Sequence, residues 1–331
     1  MTSALLDARL HVVTGKGGTG KTTAAAALAL ALAGRGRRVL LCEIEGRQGI
    51  ASVFDVAPLP YVERRIAIGP DGGEIWALAI DAEAAFLEYL DMFYHLGRAG
   101  KALDKFGVTD FATTVAPGLR DVLLIGKVYE ATRRTADGRS ASGRSAYDAV
   151  VLDAPPTGRI GRFLNVNAEV AGIAKVGPVR NQATSIMRLL KSDQTKVHVV
   201  TTLEEMPVQE ALDGITEVRR IGLPMGTVVV NMQREPLLTA RELEDAAAGR
   251  LDLDSVSASL AKAGITADDS LLAGLAEQAS EHADRVALET AERAKLAGMA
   301  VPLVTLPYLS EGVDLGSLYD FADHLRLGGE G

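Results

Sequence analysis

The chain has 331 residues, enough for one large α/β domain with a sizeable core. It carries 35 Lys and Arg against 43 Asp and Glu, and the resulting net charge of −8 argues against a general binder of nucleic acid or anionic lipid. Its one cysteine, Cys42, excludes an internal disulfide and a C-x-x-C or Cys₄ zinc site within the chain.

The start of the chain has no pattern of a secretory signal, because residues 1–9 lack a basic segment followed by an apolar one. The longest apolar helical run, residues 24–33, is much shorter than the ~20 residues that cross a bilayer. A lone thiol also fits a reducing compartment. From these features we expect a cytoplasmic protein.

Seven short apolar runs predict buried strands, at residues 10–13, 39–44, 75–80, 147–152, 197–202, 227–230 and 301–306. Helical patterns separate most of them. The first helical pattern, residues 21–33, is rich in Ala and Leu and apolar on nearly all sides, which predicts a buried helix. Buried strands that alternate with helices predict an α/β fold with a doubly wound, mainly parallel sheet.

Two stretches interrupt this alternation. Residues 84–132 have helical periodicity and several aromatic side chains between two strands, which predicts an inserted helical subdomain. Residues 240–297 are charged and helix-prone without a strand pattern, which predicts an additional helical region. The small, polar residues 135–145 predict a loop. We expect all of these parts to belong to one domain that spans residues 1–331.

A glycine-rich turn follows the first predicted strand, and residues 15–22 read G-K-G-G-T-G-K-T. The spacing of Gly15, Gly20, Lys21 and Thr22 fits a P-loop, in which backbone N–H groups and a helix N-terminus surround phosphate. Lys21 is predicted to reach the β- and γ-phosphates of ATP, and the Thr22 hydroxyl to bind Mg²⁺. The predicted nucleotide contacts are Gly15, Gly17, Gly18, Thr19, Gly20, Lys21, Thr22 and Thr23.

A second lysine, Lys16, directly follows the first glycine of this loop. Folding of the loop does not require it, and Lys21 already serves the same phosphates. We therefore expect Lys16 to reach across a dimer interface to the partner's nucleotide, where a cation stabilises charge that develops during phosphoryl transfer. The alternative is a solvated surface lysine.

The loop resembles the signature-lysine Walker A of a class of dimeric ATPases that includes MinD, ParA, the nitrogenase iron protein and ArsA. Residues 147–164, Y-D-A-V-V-L-D-A-P-P-T-G-R-I-G-R-F-L, narrow the resemblance. A strand that ends in Asp153 has the form of a Walker B, whose carboxylate holds Mg²⁺ through water. The D-x-x-P-T-G-x-x-x-R-F-L pattern is similar to switch II of the ArsA family, which comprises arsenite-pump ATPases and ATPases that target tail-anchored membrane proteins. Arg159 stands where that family usually has His. Any signalling that depends on this histidine in the family is therefore not expected here.

The segment that corresponds to switch I departs further from the family. Residues 40–54 read L-L-C-E-I-E-G-R-Q-G-I-A-S-V-F, and an ungapped alignment places Glu45 on the family's water-positioning Asp. The family's D-P-A-H-N has become E-G-R-Q-G. Glu45 keeps a carboxylate that could orient water, although one extra methylene could also slow hydrolysis. The alternative is that Glu43 and Glu45 only cap a strand in solvent.

Two further segments match the family's adenine side. Residues 228–231, V-V-V-N, resemble the strand whose Asn reads adenine, and an amide offers the donor and acceptor that the base edge needs. The alternative for Asn231 is a helix-cap or turn residue. Residues 306–312, L-P-Y-L-S-E-G, fall at the adenine-side loop and add Pro307 to the predicted site. The resemblance extends from residue 10 to about residue 325.

Several family activities lack their residues here. The zinc clasp and the cysteine cluster that binds arsenite both need more thiols than Cys42, and an iron–sulfur cluster does as well. The end of the chain is not basic, which argues against MinD-type membrane binding. A groove for a hydrophobic client could involve Phe86, Leu90, Phe93 and Leu96, but ordinary helix packing also explains these residues. No two histidines have metal-ligand spacing, so we expect His11, His95, His198, His282 and His324 to be structural.

Taken together, the resemblance implies a dimeric switch ATPase that uses ATP and Mg²⁺ to open and close around a client. Lys16 and Lys21 would hold phosphate charge, Thr22 and Asp153 would serve Mg²⁺, and Glu45 would orient water. The dimer could be formed with an identical chain or with a related one. The client could be a hydrophobic segment or a membrane protein. The altered switch I leaves a second hypothesis open, a nucleotide-binding regulatory subunit with weak hydrolysis.

Overall fold

A computed structural model describes residues 6–34, 36–44, 46, 48–94, 117–136, 145–173 and 178–327. It contains one eight-stranded sheet with the order β3-β4-β2-β5-β1-β6-β7-β8. All neighbouring strands are parallel except β3 and β4, which are antiparallel. The strands are β1 (Leu10–Gly15), β2 (Arg38–Glu43), β3 (Arg64–Ile68), β4 (Glu74–Ala79), β5 (Ala149–Asp153), β6 (Thr195–Thr201), β7 (Met225–Gln233) and β8 (Leu303–Pro307).

Helices follow most of the strands and cover the sheet. Those described are α1 (Lys21–Ala33), α2 (Gly49–Val53), α3 (Ala82–Tyr94), α4 (Pro117–Arg133), α5 (Thr157–Ile173), α6 (Pro178–Leu190), α7 (Glu205–Arg220), α8 (Ala240–Ala247), α9 (Leu253–Lys262), α10 (Asp269–Ala297) and α11 (Leu315–Leu327). The predicted α/β fold with a mainly parallel sheet is confirmed.

The helix α1 has the same bounds as the helix predicted from the sequence. Its residues from Ala24 to Ala33 are all buried, between the sheet on one side and α11 on the other. Alanine side chains let the backbones of neighbouring elements approach closely, and alanine is also the best helix former. This burial fixes the start of α1, and with it the glycine-rich loop, at the centre of the sheet.

All seven predicted strands are present, and the structure adds an eighth, β3. Its sequence, R-R-I-A-I, is half exposed and pairs with β4 across a register shift between Arg65 and Ala67. An edge strand needs only one buried face, and charged residues there discourage pairing with other chains. In β3 the two arginines leave only three consecutive apolar residues, and so short a run does not predict a strand.

Both faces of the sheet are covered, as a doubly wound fold requires. One apolar layer joins α1, α2 and α11 to one face of the sheet. A second joins α4, α5 and α6 to the other face, and a smaller one joins α7 and the end of α10 to β6, β7 and β8. The carboxyl ends of the central strands β1, β2 and β5 meet at one edge of the sheet, where a ligand site of such a fold lies.

The helical segments agree with the sequence patterns where they are described. Helices α3 and α4 flank residues 95–116, which lie outside the described residues, as do residues 137–144 of the predicted loop. The inserted subdomain over residues 84–132 therefore stays a prediction. The region 240–297 consists of α8, α9 and α10. Among the helices that the structure describes, none is long and apolar enough to cross a membrane.

Two histidines lie inside the sheet, on the neighbouring strands β1 and β6. His198 Nε2 and His11 Nδ1 are 3.1 Å apart, and both rings are buried. The Thr227 N–H donates to His198 Nδ1, and His11 Nε2 lies 3.1 Å from the Ala8 carbonyl oxygen. These partners are satisfied when both rings are neutral and each carries its proton on Nε2. Burial lowers the pKa of His11 to about 4 and lowers that of His198 as well.

Candidate functional site

The glycine-rich loop connects β1 to α1 at the centre of the sheet. Gly18 and Gly20 have positive φ angles of 89° and 84°, a conformation that L side chains rarely adopt. At Gly15 a side chain would collide with the Val200 carbonyl oxygen of β6. The three glycines are therefore required by the backbone itself. Gly17 and Gly18 form the exposed tip of the loop, and Gly20 precedes the first helical residue, Lys21.

The start of α1 has the features of an anion site. No side chain caps its N-terminus, which leaves the N–H groups of the first turn facing the loop. Lys21, Thr22 and Thr23 form this turn and are partly exposed. Unsatisfied N–H groups, the positive end of the helix and a lysine together favour a bound phosphate.

Thr19 anchors the loop to the two neighbouring strands. Its buried hydroxyl lies 2.9 Å from the Lys16 carbonyl oxygen and 3.2 Å from that of Val200 in β6. The carboxamide nitrogen of Asn231, at the end of β7, donates to the Thr19 carbonyl oxygen at 2.9 Å. Asn231 is thus neither a helix cap nor a simple turn residue in this structure, because its amide holds the loop.

A hydroxyl and a carboxylate meet beside the start of α1. Thr22 Oγ1 donates to Asp153 Oδ2 at 2.6 Å, which joins the loop to the end of β5. Gly49, at the start of α2, packs against Thr22, and a Cβ there would lie 3.2 Å from Thr22 Cγ2. Hard oxygen ligands of this kind are what Mg²⁺ prefers, with substrate phosphates and water supplying the rest of its octahedron. The predicted magnesium pair, Thr22 and Asp153, therefore fits the ion chemically.

The described residues contain no group of three or more His, Cys, Asp or Glu side chains that could hold a metal by themselves.

The segment after β5 is tied to β1. Thr14 Oγ1 donates to the Pro155 carbonyl oxygen at 2.7 Å, and the Ala154 N–H donates to the Val13 carbonyl oxygen at 2.9 Å. The two bonded residues, Ala154 and Pro155, lie between Asp153 and the start of α5. The P-P-T-G segment is thereby held next to the glycine-rich loop.

Glu43 ends β2 and lies opposite Asp153 in the register of β2 and β5. It is 4% exposed and accepts hydrogen bonds from the N–H groups of Gln48 at 2.8 Å and Ile50 at 3.0 Å. The interpretation of Glu43 as a cap in solvent is therefore wrong, because its carboxylate is buried and satisfies the N-terminus of α2. Glu45, the predicted water-positioning residue, lies outside the described residues.

Lys16 contacts its own chain. Its Nζ lies 3.3 Å from Oε1 of Glu210 on α7, and the two side chains are 30% and 36% exposed. Thr157, the first residue of α5, donates from Oγ1 to Oε2 of the same carboxylate at 3.3 Å. The sequence did not predict Glu210, since one acidic residue on an amphipathic helix is indistinguishable from a solvated surface charge.

Arg159 joins α5 to α4. Its guanidinium lies 3.6 Å from Oδ1 of Asp121, which is buried, while Arg159 itself is largely exposed. Burial raises the pKa of Asp121, and the nearby positive charge of Arg159 opposes that shift. The residue that replaces the family's histidine thus links the P-P-T-G segment to the helices of the predicted insertion.

On the far side of the loop, β7 and β8 carry the residues expected near adenine. Pro307 pairs in register with Gln233, and the next residue, Tyr308, donates its N–H to the Gln233 carbonyl oxygen at 2.8 Å. The Arg234 guanidinium lies 4.1 Å from the centroid of the Tyr308 ring. Asn231 precedes Gln233 by two residues, so the predicted adenine residues share this end of the sheet. Their contact with a base stays a prediction.

A strand–glycine loop–helix unit whose threonine meets a carboxylate at the end of a neighbouring strand defines a P-loop NTPase. A family model described as anion-transporting ATPase matches residues 8–192. ATPase BagA of Mycobacterium tuberculosis (strain H37Rv) is 52% identical over 327 residues, which cover 99% of this chain and 95% of that protein. An ATPase of Mycobacterium bovis matches with the same identity and coverage. The arsenical pump-driving ATPase of Acidiphilium multivorum is 25% identical over 235 residues, or 66% of this chain and 38% of that protein. The chain belongs to the anion-transporting ATPase family.

Proposed function

We propose that this ATPase is a Mg²⁺-dependent dimeric switch, which hydrolyses ATP to ADP and phosphate and couples its opening and closing to a client. The observation that carries the proposal is the 2.6 Å hydrogen bond between Thr22 and Asp153, beside an uncapped helix N-terminus and the glycine-rich loop. It supports the proposal because the residues that we assign to phosphate and to Mg²⁺ are neighbours there.

Each residue of this site has a distinct task in the proposal. The N–H groups of the loop and Lys21 bind the phosphates, and Thr22 and Asp153 hold Mg²⁺. Mg²⁺ held there would neutralise charge on the phosphate oxygens. Asn231 and Pro307 contact adenine, and Glu45 orients the attacking water. Catalysis of this kind depends on positioning and on electrostatic stabilisation.

The dimer in this proposal follows from Lys16. Its side chain is partly exposed at the edge of the loop, and Lys21 already serves the phosphates of the same chain. A lysine that crosses to the partner's nucleotide would stabilise transition-state charge only in the closed dimer. Such closure, driven by nucleotide and reversed by hydrolysis, is an established kind of switch.

The client in this proposal interacts with the helices that follow β4. The contact between Arg159 and Asp121 links α5 to α4, so a movement of the P-P-T-G segment would reach these helices. We propose a hydrophobic segment as the client, because the family that the chain resembles includes ATPases that target tail-anchored membrane proteins. An arsenical cargo, as the name of the Acidiphilium relative implies for that protein, is not supported here, because the chain's one cysteine is buried and burial raises the pKa of its thiol.

The test is steady-state ATP hydrolysis of the purified chain beside Lys16→Ala and Lys21→Ala. We expect specific activity to rise with protein concentration, and Lys16→Ala to lose about 10²-fold or more in kcat while it still binds ATP. Lys21→Ala should lose ATP binding as well. Activity that is independent of concentration and retained in Lys16→Ala would contradict the dimeric mechanism.

The second candidate function is a nucleotide-binding regulatory subunit that hydrolyses little and acts with a related chain. The E-G-R-Q-G segment in place of the family's D-P-A-H-N favours it. The side chain of Glu45 is one methylene longer than that of Asp, which would misplace the attacking water and slow hydrolysis. In this case the wild-type chain binds ATP with almost no turnover, and Glu45→Asp raises kcat by about tenfold or more. Equal turnover in both proteins would exclude this alternative.

A further inference from the structure

The side chain of Lys16 is held by its own chain in this structure. Its ammonium nitrogen lies 3.3 Å from Glu210 Oε1, and Glu210 belongs to α7, far along the chain from the glycine-rich loop. The function proposed above needs this same ammonium group at the partner's nucleotide. The contact with Glu210 therefore has to break before Lys16 can act in trans.

The other oxygen of Glu210 contacts the segment that follows Asp153. Thr157 Oγ1 donates to Glu210 Oε2 at 3.3 Å, and Thr157 is buried at the start of α5. One carboxylate thus contacts the glycine-rich loop and the P-P-T-G segment at the same time. In the proposed function the first of these parts binds the phosphates and the second moves during the cycle.

Close packing between α5 and α7 fixes this arrangement. Gly214 lies one turn after Glu210 on the same face of α7, and a Cβ there would lie 3.0 Å from Thr157 Cγ2. At Gly161 a side chain would collide with Glu217. The two glycines let α5 lie against α7, so the Thr157 hydroxyl stays within reach of Glu210.

We propose that Glu210 is a positioning residue that retains Lys16 on its own chain until a nucleotide-bound partner takes the lysine. The inference rests on the dimeric switch proposed above. The contact suits an exchange, because both side chains are about one third exposed and such pairs are weak. The phosphates of ATP carry more negative charge than one carboxylate and would displace it.

The first experiment measures how fast an amine-reactive ester acylates Lys16 in the nucleotide-free chain, by peptide mass spectrometry. Glu210→Gln keeps the shape of the side chain and an acceptor for Thr157 but removes the charge. We expect acylation of Lys16 to rise about 2- to 5-fold, with an unchanged melting temperature. The exposed Lys191 in the same sample should react at an unchanged rate. An unchanged rate at Lys16 would overturn the proposal, whether or not the chain forms dimers.

A matched control is Asp213→Asn, which removes the same charge from an exposed position on the same helix, where Asp213 accepts from Gln209. It should leave the reactivity of Lys16 unchanged. An increase as large as that in Glu210→Gln would assign the effect to the general charge of α7 and not to the contact.

The second experiment measures dimerisation by analytical ultracentrifugation with Mg²⁺ and a non-hydrolysable ATP analogue. Two contacts break per dimer, so Glu210→Gln should lower the dimer Kd about 4- to 25-fold. The same substitution in a Lys16→Ala background should have no effect. An unchanged Kd in Glu210→Gln would overturn the retention of Lys16. If neither the wild type nor Glu210→Gln dimerises while acylation of Lys16 rises in Glu210→Gln, the contact between Lys16 and Glu210 is supported and the dimeric switch is contradicted.

Discussion

At the scale of single residues, Asn231 has two roles to separate. The resemblance to the family predicts that its amide reads adenine, whereas in the structure the amide nitrogen donates to the Thr19 carbonyl oxygen. Asn231 lies so close to the loop that a side chain at Gly20 would collide with its amide nitrogen. The described contact therefore assigns Asn231 to the structure that holds the glycine-rich loop.

We predict that Asn231→Ala weakens the binding of ATP and of inorganic tripolyphosphate by a similar factor, about 5-fold. The physical reason is that the buried hydrogen bond, worth about 1 kcal/mol, no longer fixes the loop that binds phosphate in both ligands. Isothermal titration calorimetry with Mg²⁺ measures both affinities. A loss confined to ATP would show that the amide reads the base and that its bond to Thr19 has little effect on the loop.

Part of the candidate site could be predicted from the sequence. The glycines and Thr22 follow from their spacing and Asp153 from its place at the end of an apolar strand, and the structure brings Thr22 and Asp153 into contact. Glu210 could not be found in this way, since its partners Lys16 and Thr157 are distant in sequence and only packing brings the three together. The buried role of Glu43 was missed for a different reason, since its partners, the N–H groups of Gln48 and Ile50, are near in sequence but meet it only through the turn that follows β2.

At the scale of elements, the ion pair between Arg159 and Asp121 connects α5 to α4. Because Arg159 is largely exposed, solvent screens the pair, and we expect a coupling energy of about 0.2–1 kcal/mol. A double-mutant cycle of Arg159→Ala and Asp121→Asn in urea unfolding measures it. Arg159→Ala alone should be the more costly variant, since it removes the first of three arginines, with Arg120 and Arg162, whose charge favours the buried carboxylate.

The control for this pair is Arg220→Ala, which removes an exposed cation that contacts Glu217 within α7 and joins no two helices. In this variant the free energy of unfolding should stay within about 0.5 kcal/mol of the wild-type value. Equal effects of Arg220→Ala and Arg159→Ala would mean that the link between α5 and α4 contributes nothing specific.

Elements were predictable where burial dictates composition. The seven parallel strands are apolar because both of their faces are covered, and α1 is apolar because it is packed between the sheet and α11. The edge strand β3 escaped prediction, because one exposed face and two arginines remove the apolar pattern. The charged helices α8, α9 and α10 were recognised as helical, but their packing does not follow from pattern alone.

At the scale of the whole molecule, the histidines of β1 and β6 make stability depend on pH. His11 has a folded-state pKa of about 4, below its ordinary 6.5, so the unfolded chain binds more protons between these values. The contribution of the neutral His11 to the free energy of unfolding is therefore fully present above pH 6.5 and is lost as the pH falls towards 4. His198, whose pKa burial also lowers, contributes in the same direction.

We predict that the free energy of unfolding falls by about 2 kcal/mol for His11 alone between pH 7.5 and pH 5. Urea unfolding at the two pH values measures this loss. His11→Asn keeps an acceptor for His198 but has no ionisable ring, so it should be less stable at pH 7.5 and lose about 2 kcal/mol less at pH 5. His324→Asn, at an exposed position of α11, serves as the control for the replacement of a histidine outside the sheet. The same loss in His11→Asn as in the wild type would mean that carboxylates, and not the buried histidines, set the acid limit of the fold.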